Sequence, residues 1–169
     1  MFHLNIGVSI GFGARKSFEM AANKFTENEK VKRNADELQL MREKAANELF
    51  FRLYPQIERL ASLRVEKYAH DPRVGNILSV ATKPPTEVQV SRKEQVEALL
   101  FSFDSLNREV RIVFEGSVHY HRILRVEIGT GTKPILTDQR LPDEPFMPIS
   151  WNNLPAMVND SIDALLGIL

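Results

Sequence analysis

The sequence predicts an α+β fold: an N-terminal strand, a long kinked helix, an antiparallel meander of four to five strands, and a C-terminal helix. Three observations predict it. Residues 2–12 alternate apolar and non-apolar side chains. Residues 14–54 carry a helical apolar stripe with no Gly or Pro. From residue 73 onward, short β-like runs are separated by turn signals.

In "FHLNIGVSIGF", Phe2, Leu4, Ile6, Val8, Ile10 and Phe12 occupy the even positions. In a strand all six would share one face. The segment lacks the basic start and continuous apolar run of a secretory signal. It is too short for a spanning helix, and Phe2 stands where myristoylation needs glycine. A half-buried strand is therefore expected, pairing within its own subunit or with a neighbour's. Its deletion is expected to unfold or disassemble the protein.

The helix follows. Val31, Ala35, Leu38, Met41, Ala45, Leu49 and Leu53 recur at intervals of three or four. Glu29/Arg33 and Glu48/Arg52 are favourably ordered (i, i+4) pairs. At "LFFRLY" apolar residues cover most of the circumference, so this end is expected in a core. Pro55 is expected to kink the helix or to open a second one. "HDP" at 70–72 ends the region.

Residues 71–85 form the best internal boundary, dividing the chain into 1–72 and 73–169, which together are expected to make one compact domain. "EALLFSFD" and "EVRIVFEG" around "DSLNR" make the clearest hairpin, with Leu99, Phe101 and Phe103 facing Val110, Ile112 and Phe114. A capping-box match at "SRKE" competes for a helix there, but the hairpin partner favours strand. "TEVQV", "HYHRILRVEIG" and "KPILTD" supply further strands. "LPDEPFMPIS" reads as an irregular crossing. Asn153 is a candidate N-cap, Pro155 suits the first turn, and Gly167 is a stop for the closing helix.

Composition narrows the function classes. The chain has 169 residues, enough to bury a core without a disulfide or metal. With no cysteine, it has neither a thiol nucleophile nor a cysteine zinc site, which fits a cytoplasmic protein. There are 22 basic and 22 acidic residues, a balance unlike the basic excess of most nucleic-acid binders.

The candidates for chemistry are few. His119 and His121 of "HYH" would share a strand face with Cα atoms about 6.7 Å apart, as two ligands of one metal. Arg108, Arg111, Arg122 and Arg125, with Tyr120 nearby, could present an arginine-bearing sheet face to single-stranded nucleic acid. "GVSIGFGARKS" lacks the spacing of a phosphate loop and reads as a turn. Asp143/Glu144 and Asp160/Asp163 show no sign of the burial that acid–base work requires. Trp151 is expected as a lid over the core.

The sequence thus points to a non-enzymatic protein–protein interaction or assembly protein, homo-oligomeric or bound to a protein partner. Neither a cofactor nor a membrane is expected. The expected interface is Val31, Ala35, Leu38, Met41, Ala45 and Leu49. An uninterrupted helix of about 40 residues spans some 60 Å, more than a small sheet can cover. The alternatives are a nucleic-acid-binding accessory protein using the four arginines, and a metal-dependent enzyme or sensor using His119 and His121.

Overall fold

The computed structural model describes residues 7–115, 121–131 and 133–167, with side chains from residue 13 onward. The elements run α1 (Gly7–Ala69), β1 (Leu78–Lys83), β2 (Glu87–Arg92), β3 (Ala98–Asp104), β4 (Glu109–Glu115), β5 (His121–Glu127), β6 (Ile135–Gln139), β7 (Met147–Ile149), a 3-10 turn (Trp151–Asn153) and α2 (Leu154–Leu165). The chain divides into two compact units, Met1–Met41 and Arg42–Leu169.

In the second unit the seven strands form one antiparallel sheet in strict chain order, β1 to β7. The register aligns side chains in rows across it. Val80, Val90, Leu99 and Phe114 make one row. Val88, Phe101, Ile112 and Arg122 make the next, followed by Phe103, Val110, Leu124 and Asp138. Val126, Leu136 and Ile149 complete this face. The two-residue repeat of each strand puts every one of these side chains on the same side.

Two helical segments cover that face. Ala46, Phe50, Leu53, Tyr54, Ile57 and Ala61 of α1 are buried, as are Leu154, Met157, Val158, Ile162 and Leu165 of α2. They join the strand residues in one core cluster. Phe103 lies edge-on to Tyr54 and Phe50, with ring centroids 5.1 Å and 6.4 Å away. The helices are tied together by Asp163 of α2. It accepts hydrogen bonds from Arg64 Nε at 2.9 Å and from the Tyr68 hydroxyl at 2.5 Å, and a second guanidinium nitrogen closes the fork. Desolvation, then the adjacent Asp163, raises the Tyr68 phenol above its ordinary range.

In the first unit residues 13–41 are helical, and every side chain there except the half-buried Glu29 is exposed.

Three sequence expectations need correction. Residues 7–12 are helical, not part of a strand; positions 2–6 of the expected strand lie outside the described residues. An unpaired strand satisfies none of its backbone groups, whereas extending a helix already nucleated at 13–41 gains one bond per residue. Of the two outcomes expected at Pro55, a kink or a second helix, the second helix does not begin there: α1 runs through to Ala69 with Pro55 inside it. Pro55 and Phe51 are both exposed, so the carbonyl that loses its helical donor is on the solvent side. The sheet has seven strands, not four or five. The additions are β1, within the expected boundary segment, and β7, within the proline-rich crossing. Pro148 is tolerated in β7 because the strand is at the sheet edge.

Asn153 does precede α2, but its side chain makes no capping bond; Pro155 stands in the first turn. Gly167 adopts φ of 70°, the left-handed conformation that ends helices.

Candidate functional site

A cleft of about 840 Å³ opens on the second unit. Leu49, Arg52, Pro55 and Gln56 form one wall. Their spacing of three or four places them on one helical face. Lys133, Pro134, Ile135 and Leu136, with Ile149 and Trp151, complete the lining. Ser150 sets the tryptophan in place: its hydroxyl accepts from the Asn152 amide at 3.3 Å and caps the 3-10 turn. Gly129 lets the β5–β6 connection approach β6, since a Cβ there would be 2.8 Å from Ile135 Cδ1.

Two cations stand in this apolar setting. Arg52 and Lys133 are exposed, and neither is paired with a carboxylate among the described residues. No acidic residue lines the cleft among the described residues.

A smaller pocket of about 160 Å³ lies among Phe50, Phe51, Tyr54, Pro85 and Phe103. Among the described residues the buried Tyr54 hydroxyl makes no well-formed hydrogen bond, and Thr82 is its weak polar neighbour. Desolvation, with some help from Glu58, pushes its pKa upward, and Thr82 opposes that shift.

The four arginines do not form one surface. Arg111 and Arg125 lie on the sheet face away from the helices. Arg122 shares a row with Ile112 and Phe101 on the helix-covered side. It forks onto Asp138 at 2.8 Å and 2.7 Å, and both groups are nearly buried. Arg125 donates to Glu109 at 2.8 Å and stacks over the Phe146 ring at 3.8 Å. Arg111 lies 3.7 Å from the same carboxylate. Arg108 adopts φ of 52° after the β3–β4 turn and bonds to Asn47 Oδ1 at 3.1 Å.

His119 lies outside the described residues, and His121 is half-buried on β5. No group of three or more His, Asp or Glu suited to a metal occurs among the described residues. Asp163 is committed to Arg64 and Tyr68, and Asp160 is exposed. Among the described residues no helix is long and apolar enough to cross a membrane.

Of the expected interface residues, Val31, Ala35, Leu38 and Met41 are exposed. Ala45 and Leu49 are half-buried, and Leu49 packs against the core of its own unit. Sequence reasoning missed the cleft. Its walls come from three separate segments, and Leu49, Arg52, Pro55 and Trp151 drew notice only singly, for other roles.

No family model, curated protein or solved structure matches this chain.

Proposed function

We propose that the protein is a non-enzymatic assembly protein that self-associates through the helical segment 13–41. The supporting observation is the unburied apolar surface of that segment. Phe18, Met20, Phe25, Val31, Leu38, Leu40 and Met41 are all exposed, at 38% to 73% of their full area. Each gains about 1.5–3 kcal/mol when fully buried. Most helical stability in proteins comes from a packed apolar face, and this segment buries none of its own.

The proposed occupant is a second copy of the same segment. Val31, Ala35 and Leu38 follow the four-then-three spacing of a helix-pairing seam. Six basic and five acidic residues lie in 13–41, so two copies meet without net repulsion. A two-fold pairing then uses one patch twice.

Sedimentation velocity across a hundredfold concentration range tests this. The expected species is a dimer. Val31→Glu with Leu38→Glu is expected to give a monomer whose melting transition is otherwise retained. A wild-type monomer at every concentration would refute the proposal.

A further inference from the structure

We propose that the cleft between α1, β6 and Trp151 binds a small amphipathic anion, an apolar tail bearing a single carboxylate. The two parts of the ligand follow from two features of the cleft.

The tail is set by the walls. Leu49, Ile135, Leu136, Ile149 and Trp151 offer apolar surface around about 840 Å³, within the range of small-molecule sites. Such surface gains by removing hydrocarbon from water, about 25 cal/mol for each Å² covered.

The head group is set by charge. Among the described residues, Arg52 and Lys133 are the only ionised side chains lining the cleft, and no described carboxylate there competes for them. The arginines that serve the fold behave differently. Arg64, Arg122 and Arg125 each fork onto an acid of the protein itself. Arg52 therefore keeps its planar donor pair for a ligand, and that pair matches a carboxylate in bidentate geometry. Lys133 adds a second positive charge, and the Gln56 amide adds a neutral donor. A carboxylate suits this cleft better than a phosphate dianion, whose greater charge would cost more to strip of water beside apolar walls.

Trp151 is the only tryptophan in the chain, so its fluorescence reports on this cleft alone. The test is titration of the full-length protein with sodium decanoate, followed by Trp151 emission and by calorimetry. The expected result is a saturable change with one decanoate per chain. Arg52→Gln combined with Lys133→Gln is expected to raise Kd about tenfold or more, the equivalent of about 1.4 kcal/mol. Both side chains are exposed, and an unchanged melting temperature would show the variant intact. Decanol, with the same tail and no charge, is expected to bind at least about tenfold more weakly. Loss of saturation, equal binding of decanol, or an unchanged Kd in the double variant would each overturn the proposal.

Discussion

Residues 13–41 and 42–69 belong to one helix, α1, yet they live in different environments. The later segment buries Ala46, Phe50, Leu53, Tyr54, Ile57 and Ala61; the earlier one buries nothing. Apolar content does not separate them cleanly, since the earlier segment holds Phe18, Phe25, Val31 and Leu38. Arrangement does. Leu49, Phe50, Leu53 and Tyr54 crowd into a turn and a half and cover the sheet rows that hold Phe101 and Phe103, while Phe51 stays exposed. The earlier apolar residues are spread around the helix and leave a narrow seam at Val31, Ala35 and Leu38. A broad stripe builds a core, whereas a narrow one suits a single partner helix.

Truncating side chains sharpens the contrast. Leu53→Ala, at a fully buried site, is expected to cost about 2–5 kcal/mol in chemical denaturation. Leu38→Ala, measured on dilute protein, is expected to cost under about 1 kcal/mol and to act mainly on association. Equal costs would break the comparison. The next effect concerns how the later segment is held. Asp163→Asn removes the charge that holds Arg64 and is expected to cost about 1–3 kcal/mol, reduced from a fully buried pair by partial exposure. Deleting residues 1–41 is expected to leave the melting temperature of the remainder nearly unchanged, because every buried residue among those described lies at position 46 or later. A collapse of cooperative melting would contradict the independence of the two environments. This replaces the expectation that residues 2–12 act as a structural strand.

The smallest effect is electrostatic, at the exit of α1. Asp71 accepts from the Arg73 amide at 2.9 Å and from its guanidinium at 3.0 Å and 2.7 Å. These bonds lower its carboxyl to about 2. A lowered folded-state pKa stabilises above the ordinary carboxylate range and loses that contribution as pH falls toward 2. Asp71→Asn is thus expected to lower the melting temperature slightly at pH 7, and the difference is expected to shrink as pH falls through about 2. A difference that stays constant from about pH 7 to below about pH 2 would assign the effect to something other than charge.

The long helix, the β3–β4 hairpin and α2 were legible because each has a strong local period or a local partner. Strand β1 was not: "LSVATK" alternates weakly and owes its place to pairing with β2. Strand β7 was hidden by Pro148, which usually argues against strand. The alternation at 2–12 misled at 7–12 because a two-residue repeat specifies a strand only where a partner strand exists. The cleft was illegible for a different reason. Arg52, Lys133 and Trp151 are ordinary residues individually, and only the folded chain brings them together.

The strict order of the sheet bears on how the chain acquires its structure. Each strand pairs with the one just before it in sequence, so every hairpin closes a short loop. No strand waits for a distant partner, and such local wiring favours rapid assembly. Sealing is another matter. Leu154, Met157, Val158, Ile162 and Leu165 follow all seven strands in the chain. During synthesis the sheet can therefore form while part of its inner face is still uncovered. That interval, before α2 docks, is when the nascent chain is most open to aggregation and to capture by a chaperone.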